Sequence, residues 1–220
     1  MSDTVSLVRL LTWLSPTFPV GGFNYSHGLE QAVASGLVTD AAGLLDWIRL
    51  LLAEGSAWND AVLLAEAWRV ASSAGDLAPV SELAEALTGS AERHLETMNQ
   101  GIAFLKASSA WPLPVHQSLD GGAAWPVAVG AVSGGSGIPL EPTLAAFLHA
   151  FSANQVQAAL RLMSLGQAAG VAVMAAIEPD IALVAARAAR STLDDLGSSA
   201  LNAEIAAMNH ETLSSRIFRT

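Results

Sequence analysis

Five histidines are the first residues to weigh for chemistry: His27, His94, His116, His149 and His210. No two lie three or four residues apart, so no helix face offers two imidazoles to one metal. Cysteine is absent, which removes thiolate ligands and a cysteine nucleophile. His27 and Glu30 fall at i and i+3 and would share a helix face. An acid–base pair is conceivable there. A cap-region contact fits better, because Glu30 sits near a helix N-terminus, where negative charge is favoured. His94 and His116 read as surface or edge rings. His149 lies among Phe147, Leu148 and Phe151, which predicts a buried, hydrogen-bonded ring. A histidine site shared across a two-fold dimer stays open.

Other motifs carry less chemistry. GAVSGGSG, 130–137, lacks the lysine and following Ser/Thr of a phosphate loop and has no strand before it, so it reads as a loose helix end. There is no GxSxG elbow and no visible Ser, His and Asp grouping. Two stretches look built for contact. SPTFPVGGFNYSHGLE, 15–30, is stiff, aromatic and nearly uncharged, and it holds Phe18, Pro19, Phe23 and Tyr25. Its prolines fix the backbone and its glycines permit close approach, so little ordering is needed when something docks. The tail HETLSSRIFRT ends with Arg216 and Arg219 flanking Ile217 and Phe218, the pairing of arginine with apolar groups that marks interface anchors.

Composition narrows the setting. Twenty acids against ten bases give a net charge of −10, which argues against nucleic acid, whose binders need a basic surface. Hydrophobic residues make up 52% and charged ones 14%, so apolar surface must be hidden in a core, a membrane or a partner interface. The uncharged run from Gly121 to Ile177 contains only Glu141 and Arg161. A membrane span is not expected, since prolines, glycines and amides interrupt its windows and no positive-inside bias flanks them. No signal peptide is read at the N-terminus. Burial of this half against a second copy is the expectation, with Phe147, Phe151, Leu160 and Arg161 as candidate dimer-interface residues.

The elements that must position these residues are helices. Leu7–Leu14 predicts a first helix, broken by Pro16. A second starts near Tyr25 or Ser26 and ends by Gly36. Asp40 caps a third and Ser90 a longer one after helices over about 57–73 and 77–88. Residues 111–124 form a connector. Pro139 and Pro142 bracket another helix start, a helix follows LGQAAG, Pro179 begins a further one, and a last helix covers about 199–209. No strand alternation appears. The expectation is an all-α, single-domain bundle of about ten helices over 1–220, dimeric, with a flexible C-terminal tail at 210–220.

SPTFPVGGFNYSHGLE resembles the N-terminal signature of the urease accessory protein family UreF. LEPTLAAFLHAFSANQVQAALRLMSLGQAAG resembles that family's central helices, and HETLSSRIFRT its C-terminal ending. The resemblance implies an all-α, dimeric, cytoplasmic adaptor that is not an enzyme. It implies partnership with the accessory protein UreD/UreH, the GTPase UreG and, through them, apo-urease, in GTP-dependent nickel insertion. Nickel and GTP would belong to the partner complex, leaving this chain without a cofactor, a catalytic residue or a metal ligand of its own. The family's functional tail arginine falls on Arg216 and its signature glutamate on Glu30. Partner-binding residues are therefore expected among Phe18, Pro19, Phe23, Tyr25, His27, Glu30, His210, Glu211, Arg216, Ile217 and Phe218, with the tail ordering when the partner binds. The alternative is direct regulation, activating or gating, of the partner GTPase, with Arg161, Arg187, Arg190 and Arg216 eligible by charge.

Overall fold

The computed structural model describes residues 2–220, and every regular element among them is a helix. Local chemistry sets most helix starts. Ser2 accepts the Val5 amide and opens α1 (Asp3–Trp13). Asp40 accepts the Gly43 amide at 2.8 Å and opens α3 (Ala41–Glu54). Ser90 accepts the Arg93 amide at 3.2 Å and opens α6 (Ala91–Ser108). These are the short polar side chains that satisfy otherwise orphaned amides at a helix N-terminus. Between them lie α2 (Leu29–Ala34), α4 (Ser56–Ser72) and α5 (Ala78–Ala86). The connector after α6 contains a single helical turn, α7 (Val115–Ser118), and the second half comprises α8 (Trp125–Gly135), α9 (Leu140–Leu162), α10 (Gln167–Ala188) and α11 (Leu201–His210).

At the centre is α8, whose residues 126–134 are all buried. It packs on α4 and α6, and against α4 so closely that at two positions no side chain would fit. A Cβ at Gly130 would stand 2.3 Å from the Leu64 carbonyl oxygen, and one at Gly134 2.4 Å from that of Trp68. The glycine-rich stretch read as a loose helix end is therefore mostly helix body, with small residues where two backbones meet. This also explains the lack of charge: α8 is core within one chain. Around it runs a chain of aromatic contacts, Trp13 to Phe104 at 6.0 Å, Phe104 to Trp125 at 5.2 Å and Trp125 to Phe147 at 6.0 Å. Phe18 joins it against Phe104 at 5.7 Å.

Two sequence expectations fail here for physical reasons. Pro179 does not begin a helix; it lies inside α10, on the exposed side. An interior proline removes one backbone hydrogen bond. Packing of Val173, Ile177, Ile181 and Val184 on the buried face carries the helix across that gap. The other face leaves Val171 and Leu183 exposed, and an 18-residue window of α10 reaches a mean hydropathy of 1.7, enough in length and composition to cross a membrane. His149 is exposed, not buried. Two residues along a helix is a turn of about 200°, so with Phe147 facing the core His149 faces away from it.

Candidate functional site

The C-terminal ten residues fold back over the N-terminal loop, and a buried carboxylate joins them. Glu30, in the first turn of α2, accepts the Ile217 amide at 2.7 Å on Oε1 and the Phe218 amide at 2.9 Å on Oε2. Its Oε2 also meets His210 Nε2 at 3.0 Å. Burial opposes the charge on Glu30, but the His210 contact and the two amides outweigh it and hold the carboxyl below its ordinary range. The other ring nitrogen of His210, Nδ1, lies 2.6 Å from Glu92 Oε2. Glu92 Oε1 in turn accepts from Arg216. His210 itself is wholly buried at the end of α11.

A second carboxylate, Glu96, lies one helical turn further along α6 and is 1% exposed. His27 Nδ1 approaches its Oε1 at 2.7 Å, Arg93 its Oε2 at 2.7 Å, and Gln100 donates to Oε1 at 3.1 Å. The Thr220 hydroxyl donates to Oε2 at 2.9 Å. Burial works against ionisation, but the Arg93 and His27 charges prevail and hold Glu96 at about 2. Asp60 on α4 faces the same arginine at a longer 3.8 Å, and there burial wins and pushes the carboxyl up.

The loop and tail also pair through their backbones. Asn24 O accepts the Arg219 amide at 2.8 Å, and Thr220 O accepts the Ser26 amide at 3.0 Å and the Ser26 hydroxyl. From α9, Asn154 donates to Tyr25 O at 3.0 Å, Gln155 to Ser26 O at 3.2 Å and Arg161 to Phe23 O at 3.0 Å. The Arg161 guanidinium also covers the buried Phe218 ring at 4.2 Å. Gly28 makes the close approach of α11 possible: its φ is +76°, and a Cβ there would stand 2.8 Å from the Ala207 nitrogen.

This arrangement redistributes the residues singled out in the sequence. Glu30, His27, Tyr25, His210, Arg216 and Phe218 are brought into one cluster. His27 and Glu30 do not pair with each other. His27 precedes α2 with φ +55°, so the helical spacing never applies, and each finds a partner distant in sequence. The tail, expected to stay free until a partner orders it, is docked within the chain, with Phe218 and Thr220 buried. Phe23 and Ile217 remain exposed, at 66% and 56%, and Pro19 is exposed as well. Glu211 caps α6 by accepting the Ala91 amide at 2.9 Å. Of the proposed dimer residues, Phe147 is buried in the chain's own core, Phe151 packs edge-on to His27 at 4.8 Å, Leu160 is half-buried near Gly170, and Arg161 holds the tail.

Sequence reasoning missed Glu92, Arg93, Glu96, Gln155 and Thr220. One signal was available: Glu92 and Glu96 stand at i and i+4 in AERHLET, so two carboxylates share a face of α6. Chemically the cluster is a clamp for the chain's own C-terminal segment, bent at Ile217 and Phe218, with carboxylates set to receive amides, a hydroxyl and guanidinium groups. Among the described residues no three His, Asp or Glu side chains form a group suited to a metal ion.

The sequence profile of UreF matches residues 38–178. The chain is similar to the urease accessory protein UreF 1 of Brucella canis, 57% identical over 217 residues that cover 99% of this chain and 95% of the relative. It is similar to the urease accessory protein UreF of Mesorhizobium japonicum, 56% identical over 218 residues, covering 99% and 98%. The loop 15–30 and the tail 210–220 lie outside the profile match, but the loop and most of the tail are within the reach of these near full-length alignments.

Proposed function

The chain belongs to the UreF family and has a role in urease maturation; from that premise we propose that it acts there as an adaptor without catalysis of its own. In this reading it bridges the UreD/UreH accessory protein and the GTPase UreG, works in the cytoplasm as a homodimer, and serves GTP-dependent nickel insertion into apo-urease. Nickel and GTP stay with the partners. The observation that carries the reading is the convergence of the loop and the tail: Glu30 and the amides of Ile217 and Phe218 meet across 187 and 188 residues of sequence. Exposed Phe23 and Ile217, with Arg219 also on the surface, offer an apolar centre with positive charge in an otherwise acidic chain. Such a surface suits a protein partner. The exposed apolar face of α10 is a reason to look for self-association.

Co-purification with UreD/UreH and UreG tests the adaptor. The full chain is expected to capture both. Deletion of residues 216–220 is expected to abolish capture and urease activation while the helical circular dichroism stays intact. Undiminished capture by the truncated chain would sink the reading.

Direct regulation of the GTPase is the second reading. Of the four arginines eligible by charge, Arg161 and Arg216 are engaged in the tail cluster, and Arg187 covers Trp58 at 3.5 Å. Arg190 is exposed just past the C-terminal end of α10, which favours it for a contact in trans. GTP turnover by UreG with this chain and with its Arg190→Ala variant decides the sign and the residue.

A further inference from the structure

His210 is wholly buried, and each of its ring nitrogens faces a carboxylate, Glu30 at 3.0 Å and Glu92 at 2.6 Å. A carboxylate oxygen accepts; it does not donate unless protonated. With both carboxylates ionised, both contacts are hydrogen bonds only when both ring nitrogens bear protons. We propose that His210 is a proton-dependent clasp for the C-terminal tail, holding residues 216–218 in place only while its ring is doubly protonated. Its regulatory meaning rests on the reading of the tail as a partner-binding segment.

The coupling to the tail is direct. Glu30 holds the Ile217 and Phe218 amides, and Glu92 holds Arg216. When the ring loses one proton, one nitrogen turns a lone pair toward a carboxylate. If Nε2 loses it, Glu30 is repelled and the two amides lose their acceptor geometry. If Nδ1 loses it, Glu92 is repelled and Arg216 is drawn away with it. Either tautomer disturbs a tail anchor. The charged groups facing the ring are Glu30 from α2, Glu92 from α6 and, through Glu92, Arg216 from the tail itself. The neighbouring group of Glu96, Arg93 and His27 acts further along, on Thr220. The tail is reached through exposed residues 214–217, so it can leave without unfolding the helices.

Amide hydrogen exchange of Ile217 and Phe218 in the isolated full chain, corrected for intrinsic base catalysis, tests this. Protection is expected to fall about tenfold or more as pH rises from about 5 to about 8, the window in which histidine is the side chain that changes charge. The fall should track the His210 ring resonance, while Val129 and Val132 in α8 stay protected. In Glu92→Gln the amide can donate or accept, so protection should no longer depend on pH; His210→Gln should behave alike. If His210→Gln does not fold, Glu92→Gln decides. Flat protection in the unmodified chain, or the same pH dependence in Glu92→Gln, overturns the clasp. Capture of UreD/UreH over the same range separates the two ideas. Capture with flat protection removes the clasp and leaves the adaptor. A pH-dependent tail with no capture at any pH does the reverse.

Discussion

The seam between α4 and α8 and the cluster under the tail are both buried, but opposite kinds of residue build them. Along α8 there is no charged side chain, and the fit depends on glycines that leave no room for a Cβ. Beneath the tail, Glu30, Glu92, Glu96, Arg93, His27 and His210 are set among one another. Apolar packing is close and indifferent to pH, whereas a buried charge is stable only while its partners remain. The seam is thus suited to a permanent core. The cluster is suited to a contact that can be made and broken, which is what a chain that must present its tail to other proteins requires.

The largest test of this contrast is Glu96→Gln. It leaves Arg93 and His27 facing a neutral group in a buried site, and a loss of about 3–5 kcal/mol is expected by urea unfolding. A loss below about 1 kcal/mol would mean that the charges are less dependent on one another than their geometry implies. The same residue sets an acid limit. Glu96 and Glu30 are both held below their ordinary values, so the stability they contribute is complete above about pH 4.5 and lost as pH falls through the folded value, near 2 for Glu96. Acid titration should therefore release the tail, followed by amide exchange of Ile217, before α8 loses protection.

Next in size is Gly130→Leu. With the Leu64 carbonyl oxygen 2.3 Å from any added Cβ, the helices must separate, and a cost of about 3 kcal/mol is expected. The loss should be the same at pH 5 and pH 8, which a pair of thermal melts checks. Smaller is Glu30→Gln, expected to cost about 1–2 kcal/mol and to show as faster exchange of the Ile217 and Phe218 amides with the global unfolding midpoint little changed. The least is Arg161→Ala, which uncovers the Phe218 ring and removes a bond to Phe23 O; about 0.5–1 kcal/mol is expected, read as quicker tryptic cleavage after Arg216.

Much of the helical layout was legible because its causes are local. Asp40 and Ser90 are caps wherever they stand, and the apolar spacing after each declares a helix. The candidate site was legible only in part. Glu30, His210 and the tail were singled out, the first through its spacing from His27 and through resemblance, the last through its alternation of arginine and apolar residues. Their mutual contact was not foreseen, and Glu96, which organises half the cluster, gave no sign beyond its spacing from Glu92.

By itself, the sequence determined an all-helical chain of the UreF family, where most of its helices begin, and that its uncharged half must be hidden. Only the tertiary structure decided what hides it, and which histidine meets which carboxylate. Periodicity reports neighbours within a turn or two of helix, so it put His27 and Glu30 on one helix face and turned His149 inward. Glu30 in fact meets His210 across 180 residues, and no local rule reaches that far. The same limit applies to Gly130 and Pro179. Their meaning lies in the backbone pressed against one and in the buried face that carries the helix past the other.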